Sequence, residues 1–343
     1  MLESQLKYDL DQERIDEIAR MSRPQVSVVG LGGAGCNIVS WIKQRGVTGG
    51  RLLALNTDAN HLSICKADKR ILIGEKTTHG LGCGGYAEKG EQALRESLEV
   101  VKKEIAGSSI VFLVSGLGGG TGTGAACALA ESLKGTGPLI VGVNTIPFAI
   151  ERVRMETARS AIERLKKACD TVVTIDNNKL VKVAGDLPFQ EALGVANELV
   201  GVFVKDITET ITTASLINLD FMDLRAIMEK KGIAAIGAGW GQGEEKVEKA
   251  VKVALDGQLL DINDVTKAYG VLIHVSGGED LTLDEVYRSG EMVTKSISPK
   301  AKIVWGAKVN PEMQGSAHVF VCLTGVDSAF LSQAQKPKRF KFF

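Results

Sequence analysis

Residues 115–124 read Ser-Gly-Leu-Gly-Gly-Gly-Thr-Gly-Thr-Gly, six glycines and two threonines set between the apolar run 110–114 and a helical pattern from Ala125 to Lys134. Backbone N–H groups left uncovered by side chains, with a helix N-terminus directly behind them, form a cradle for an anion such as a polyphosphate. The threonines add hydroxyl donors. Glycine also marks ordinary turns, but strand, glycine loop and helix in that order is the arrangement of a phosphate site. Two further segments repeat the theme: Gly30-Leu31-Gly32-Gly33-Ala34-Gly35-Cys36-Asn37 follows a short strand, and Gly80-Leu81-Gly82-Cys83-Gly84-Gly85 precedes a long charged helix. Gly30, Gly32 and Gly35 satisfy GxGxxG, and Asp58 stands 23 residues beyond Gly35, where a dinucleotide fold holds a ribose.

A dinucleotide needs one close pyrophosphate approach, so three glycine loops are more than it uses. They suit a compact nucleoside triphosphate. The chain has no GxxxxGK[ST], so the phosphates fall to backbone amides, hydroxyls and a metal ion rather than to a P-loop lysine. Attack of water on a terminal phosphate also needs a group that orients or deprotonates the water, and the phosphate loops contain no carboxylate. Asp58, at the end of its own strand, suits metal or ribose better. Asp220 and Asp223 combine a loop setting with close spacing, although an aspartate there also reads as a helix cap. They lie beyond a helical pattern of about 25 residues, nearly 40 Å long at 1.5 Å per residue. One subunit's acids then cannot reach its own phosphates, whereas those of a neighbour stacked head to tail can.

The elements that position these residues follow from periodicity. Short β-rich runs at 26–29, 52–55, 71–73, 110–114, 139–143 and 171–175 alternate with helical stretches, which predicts a parallel sheet covered by helices on both faces, its ligand crevice at the strands' C-terminal ends. From Phe189 to about Thr213, Ala192, Ala196, Leu199, Phe203, Ile207 and Ile211 recur every three or four residues, widened by Leu193, Val200 and Val204. So broad an apolar stripe belongs to a helix buried between two bodies. Beyond Gly232 the pattern becomes strand 233–238, helix 244–255, strand 271–276, helix 282–294 and strands 302–307 and 317–323. This predicts a second, smaller α/β unit without a phosphate loop.

Composition narrows the function classes. Of 343 residues, 44% are hydrophobic and 24% charged, an ordinary globular balance, and Lys+Arg and Asp+Glu both number 41. No net charge attracts nucleic acid, and no apolar run reaches the ~18 residues of a membrane span. The six cysteines include no CxxC pair and the four histidines show no metal-ligand spacing. Free thiols in a reducing cytosol are expected, with Cys36 and Cys83 serving as small loop residues.

Taken together, Gly118-Gly119-Gly120-Thr121-Gly122-Thr123-Gly124 resembles the tubulin signature. With Gly32 to Asn37, Asn56-Thr57-Asp58, Pro147-Phe148 and Asn218-Leu219-Asp220-Phe221-Met222-Asp223, the chain from about Val26 to Gly325 resembles the FtsZ family, the prokaryotic tubulin homologues of cell division. A chain of this length lacks room for tubulin's C-terminal helical hairpin. The resemblance implies an α/β fold: a Rossmann-like parallel-sheet GTP-binding domain over 25–188, a long central helix and catalytic loop over 189–231, and a smaller α/β domain with a mixed sheet over 232–326. Residues 1–24 are an N-terminal extension and 327–343 a tail.

By the same resemblance GTP or GDP is held by Gly32, Gly33, Ala34, Gly35, Cys36 and Asn37, by Asp58, Gly84 and Gly85, and by Gly118, Gly119, Gly120, Thr121, Gly122 and Thr123. Glu151, Arg154, Asn177 and Asn197 complete the nucleotide contacts. Mg²⁺ is expected on the phosphates, with no direct side-chain ligand. Asp220, Asp223 and Asn218 enter the next subunit's site, so the expected activity is a GTPase switched on by assembly into a head-to-tail polar filament. Such an interface is heterologous and open-ended. The tail, Lys336-Pro337-Lys338-Arg339-Phe340-Lys341-Phe342-Phe343, reads as a docking peptide for a membrane-tethering division protein or as a solvated end. The expected location is the cytoplasm, at the mid-cell division site.

Three departures from the family pattern bear on the nucleotide. In the family a Glu after Pro-Phe is followed four residues later by Arg; here Arg152 and Arg154 stand one and three residues after Glu151, and either can take that place. The usual base-stacking Phe and base-reading Asp of the long helix are matched by Leu193 and Asn197. An amide offers guanine both a donor and an acceptor, while loss of the ring removes a stack of roughly 1–3 kcal/mol. Tyr86 offers a substitute ring. These departures leave a second reading, a GTP-binding filament paralogue with little turnover. A Rossmann oxidoreductase has no use for the 116–124 loop.

Overall fold

The computed structural model of the chain describes Arg14 and residues 23–212, 219–255 and 264–332. Most of the N-terminal extension, Asn218 and the basic–aromatic end of the tail therefore lie outside the described residues. Strand β1 (Val26–Leu31) is buried on both faces, as a central parallel strand must be. It runs straight into helix α1 (Gly32–Arg45), and the alternation continues through β2 (Gly50–Asn56), α2 (Ala59–Ile64), β3 (Lys69–Leu72), α3 (Glu75–Thr78) and α4 (Ala87–Ile105). Next come β4 (Ile110–Gly116), α5 (Gly120–Leu133), β5 (Leu139–Ile146), α6 (Arg152–Ala168), β6 (Thr171–Asp176) and α7 (Asn177–Ala184). The long helix α8 (Phe189–Thr212) and the short α9 (Phe221–Met228) precede β7 (Gly232–Gln242), α10 (Lys246–Leu255), β8 (Gly270–Gly277), α11 (Leu283–Thr294), β9 (Lys302–Val309), β10 (Ser316–Thr324) and α12 (Ala329–Ser332).

The strands form one ten-stranded sheet in the order β3-β2-β1-β4-β5-β6-β7-β10-β8-β9. β1 to β6 pair in parallel, while β10 runs antiparallel to β7 and β8. The strands expected to form a second unit thus continue the first sheet. Their link is short: β7 pairs with β6 only over Thr171–Val173 and Gly232–Ala234. Because successive strand residues face opposite sides, Val29 and Leu31 of β1 join a core with α4, α5, α6, α10 and α11, whereas Val26 and Val28 join one with α1, α8 and α9.

Helix α8 bridges the two halves of the sheet. Phe203 meets Phe112 of β4 edge-on at 6.1 Å between ring centres and Phe320 of β10 at 5.2 Å. Truncating that ring to alanine would cost about 3–5 kcal/mol. The helix follows β6 and α7 from the C-terminal edge of the parallel strands, passes the Trp41 ring at Gly201, and ends where Thr212 Oγ1 donates to the Thr48 carbonyl at 3.2 Å, just before β2 begins. Its 24 residues span about 36 Å, from one edge of the sheet to the other. No helix among the described residues is long and apolar enough to cross a membrane.

Candidate functional site

Neighbouring strands β1 and β4 each end in a glycine turn that starts a helix, so α1 and α5 begin side by side at the C-terminal edge. Neither first turn is capped by a side chain: Leu31 and Gly119 occupy the N-cap positions without a side-chain hydrogen bond. Two sets of first-turn N–H groups, each at the positive end of a helix dipole, therefore converge on one place. Gly32 is where the two turns meet. Its φ is +70°, and a Cβ there would lie 2.7 Å from the Gly122 nitrogen. Gly118, at φ +92°, likewise sits against Pro147 and Arg154, with the Arg154 Cβ 2.8 Å from where its own would be.

The third glycine loop closes over the second strand. Gly82 N donates to the Thr57 carbonyl at 3.1 Å and Ala59 N to the Gly80 carbonyl at 2.9 Å. The hydroxyls of Thr57 and Thr121 hydrogen-bond at 2.7 Å, and Cys83 Sγ lies within 3.5 Å of both. The 80–85 and 116–124 loops are thereby tied to the end of β2 through one buried polar contact, while the 30–37 loop meets the 116–124 loop at Gly32. Gly84 and Gly85 are exposed at its margin, and Tyr86 stands 62% exposed with the Lys89 ammonium 5.4 Å from its ring centre.

Several expected ligand residues spend their side chains inside the protein. Thr123 Oγ1 accepts from Gly118 N at 2.9 Å and so shapes the loop. Cys36 is wholly buried, and burial pushes its thiol up, so no thiolate nucleophile stands in the first loop. Asp58 caps α2, one carboxylate oxygen accepting from His61 N at 3.0 Å. Gly33, Ala34 and Asn37 face outward, and the Asn37 Oδ1 lies 3.1 Å from His61 Nε2. Of the two candidate arginines, Arg154 is held toward the loop: its Nη1 donates to Glu151 Oε2 at 2.7 Å, while Glu151 Oε1 accepts from Phe148 N. Arg152 is exposed.

Asn177 starts α7 beside this edge, and its buried Oδ1 has no hydrogen-bond partner. Such an atom fits a ligand donor. The next residue was not legible as functional: Asn178 Nδ2 donates to the Pro147 carbonyl at 3.3 Å and its Oδ1 accepts from Ala149 N at 2.7 Å, fixing the 147–149 turn. Its only sequence signal is a place next to Asn177. Leu193 and Asn197 are half-buried one turn apart in the first half of α8.

Asp220 and Asp223 stand at the other edge. Helix α9 follows α8 there and packs beneath the starts of β5 and β6. Thr171, the first residue of β6, donates its hydroxyl to the Met228 carbonyl at 2.5 Å, and Arg225 Nη2 donates to the carbonyl of Gly137, two residues before β5. Asp220 is the N-cap of α9, its Oδ1 accepting from Met222 N at 3.1 Å. Both aspartates are exposed, and Met222 between them is 62% exposed. Asn218, expected to act with them, lies outside the described residues.

The sheet, the paired uncapped helix starts and the bridging helix define a class: an α/β protein with a backbone-amide anion cradle at the C-terminal edge of its parallel strands, without a P-loop lysine. Residues 25–185 match the model of the tubulin/FtsZ family GTPase domain, and residues 232–327 that of the FtsZ family C-terminal domain. The chain is 44% identical over 319 residues to Cell division protein FtsZ 2 of Methanocaldococcus jannaschii, covering 92% of this chain and 84% of that protein. It is 43% identical over 318 residues to Cell division protein FtsZ 1 of Archaeoglobus fulgidus, covering 92% and 86%. The structure superposes on an empty FtsZ dimer from M. jannaschii with a TM-score of 0.88 and 42% identity, over 97% of this chain and 98% of that one. The chain belongs to the FtsZ branch of the tubulin/FtsZ GTPase family, and with that GTPase domain comes binding of GTP and GDP.

Proposed function

We propose that this chain is a cytoskeletal GTPase of prokaryotic cell division that hydrolyses GTP at the contact between successive head-to-tail subunits. The observation that carries the reading is the separation of cradle and acids onto opposite edges of the sheet, joined by a helix about 36 Å long. Stacking one subunit's N-terminal edge on the next subunit's C-terminal edge brings Asp220 and Asp223 over the phosphates. Repeating that contact gives a polar filament rather than a closed ring. The relatives are named cell division proteins, and the M. jannaschii FtsZ structure is described as a dimer.

In this reading the first turns of α1 and α5 hold the phosphates by Gly33 to Asn37 and Gly120 to Gly122, and Glu151, Arg154, Asn177 and Asn197 hold the nucleoside. Asp220 has one carboxylate oxygen committed to its helix cap and one free to orient the attacking water, with Asp223 one turn on as the second negative group. The exposed Met222 supplies apolar contact to the interface. In the same reading Mg²⁺ sits on the phosphate oxygens without a direct side-chain ligand. It would neutralise charge there when bound. The working division of the chain is cradle over 25–188, spanning helix and catalytic loop over 189–231, and supporting α/β unit over 232–326, with a tail that docks a membrane-tethering partner at mid-cell.

Phosphate release measured against protein concentration tests the proposal. A rate per subunit that rises above a threshold supports it. GTP binding with no release at any concentration, even where light scattering reports filaments, would replace it with a filament protein of little turnover. That second reading is favoured by Leu193 standing where the family stacks an aromatic ring.

A further inference from the structure

Three side chains far apart in sequence meet beside the first phosphate loop. Cys36 opens onto the end of β2 from α1, His61 lies in α2, and Cys65 follows α2; their ligand atoms all lie within 4.8 Å of one another. Cys36 and Cys65 are buried, at 0% and 7% exposure, among Ala54 and Leu62, while His61 is half-exposed and leaves an entry path. Cys65 Sγ is 3.5 Å from His61 Nδ1. No other group of three such ligands occurs among the described residues.

The imidazole is already set in the state that a metal needs. Asn56 Oδ1 accepts from Thr57 N at 2.9 Å, which turns the Asn56 amide so that Nδ2 faces His61 Nδ1 at 3.3 Å. Nδ1 therefore accepts, and the proton sits on Nε2, 3.1 Å from Asn37 Oδ1. A ligating histidine whose other nitrogen donates to a fixed oxygen is the usual outer-shell arrangement of a metal site. Two thiols and one imidazole, none of them a hard oxygen, select a soft or borderline cation.

We propose that Cys36, Cys65 and His61 Nδ1 form a Cys₂His site for one Zn²⁺, with the fourth position left to solvent. Tetrahedral zinc with Zn–S near 2.3 Å sets two thiolates about 3.8 Å apart, so shifts of under about 1 Å close the site. Binding replaces two S–H bonds by two Zn–S bonds and releases both protons to solvent. Nδ1 exchanges the Asn56 amide for the ion. The site would clip α1 to α2 and, through Nε2–H, fix the orientation of Asn37 at the phosphate edge.

The test uses the full-length chain, stripped with a chelator, kept reduced with a phosphine and titrated with Co²⁺ and then Zn²⁺. Expected are one equivalent of Co²⁺ per chain, a thiolate-to-cobalt charge-transfer band, bleaching of that band by Zn²⁺, and X-ray absorption showing two sulfurs and one nitrogen. Cys65→Ser should abolish the band and His61→Gln should weaken binding at least about tenfold, while Cys127→Ser, remote from the cluster, keeps it. Each variant's thermal unfolding is recorded, and His61→Gln, at a half-exposed position, serves where a cysteine variant fails to fold. Absence of the band in the reduced wild-type chain overturns the proposal, as does an unchanged band in Cys65→Ser or a Cys36–Cys65 disulfide that persists in the phosphine.

Discussion

At the C-terminal edge of the sheet the polar capacity lies in backbone N–H groups that glycine leaves uncovered, whereas at the N-terminal edge it lies in two exposed carboxylates on α9. The first kind of site binds without titrating, and its shape is set by close approaches such as Gly32 on Gly122. The second kind can move a proton or orient water but has nothing to hold a substrate. Each edge lacks what the other supplies. In the proposed function this division would let a lone chain keep a bound nucleotide intact, the acids lying a helix length away until a second copy arrives.

The largest effect should come from removing the acid. Asp220→Asn keeps a competent N-cap while deleting the charge, and turnover should fall by about 10²–10⁴ with GTP affinity unchanged in equilibrium binding. Loss of affinity to the same extent would mean that Asp220 serves its own subunit's nucleotide. Next in size is Gly32→Ala. The left-handed backbone costs a non-glycine residue roughly 1–2 kcal/mol, and the new Cβ meets the Gly122 nitrogen, so GTP affinity should drop by about a hundredfold or more. Mixing the two inactive variants sharpens the comparison further. In an equal, random mixture about one contact in four joins an intact cradle to an intact acid pair, and partial turnover should return. No recovery, with co-assembly verified by sedimentation, would place both halves in one subunit.

A smaller effect is expected within the cradle edge itself. Leu193→Phe restores an aromatic where α8 begins to pack, and a base stack of roughly 1–3 kcal/mol corresponds to at least about fivefold tighter GTP. Competition binding against GDP and ATP reads this directly. An unchanged affinity would show that the base lies elsewhere, with exposed Tyr86 the next ring to remove.

What could be read from the chain follows the same division. The glycine loops, the alternating strands and the length of α8 are local patterns, and each is encoded within a few neighbouring residues. That the first six strands pair in parallel follows from those patterns, whereas their order, β3-β2-β1-β4-β5-β6, is seen only in the structure. Contacts made by topology were not legible. Residues 36, 61 and 65 meet only because β2 returns α2 to the start of α1, and Thr57 finds Thr121 across 64 residues. Nor could spacing show that β7 joins β6 by three residue pairs, making one sheet of ten strands. Asp220 illustrates the limit well. Sequence offered a cap and a catalytic acid as rivals, and the carboxylate has one oxygen in the cap and one free.

Midway along α8, between the two edges, a change should alter neither. Asp206 packs against β8–β10 with its side chain 17% exposed, and its Oδ2 lies 3.5 Å from His318 Nδ1 without a hydrogen bond. Lys205 and Glu209 flank it on α8 and Lys308 approaches from β9, while His274 of β8 interacts with His318, Lys308 and Glu209. Burial pushes the Asp206 carboxyl up to about 7, Glu209 adding to the rise and the lysines opposing it. Burial holds His318 down at about 4 and His274 at about 3. The folded chain thus keeps the Asp206 proton between about pH 4 and 7 while the unfolded chain releases it, so this group's contribution to stability falls as pH rises through that window. The histidines act oppositely, their depressed values removing stability as pH falls below about 6.5. Asp206→Asn abolishes only the first effect. The variant's gain in melting temperature should therefore be small at pH 5 and larger at pH 8, by roughly 2 °C or more for each 1 kcal/mol, with GTP affinity and turnover unchanged at both. A gain that shrinks as pH rises, or a change in turnover, would show that the middle of α8 communicates with an edge.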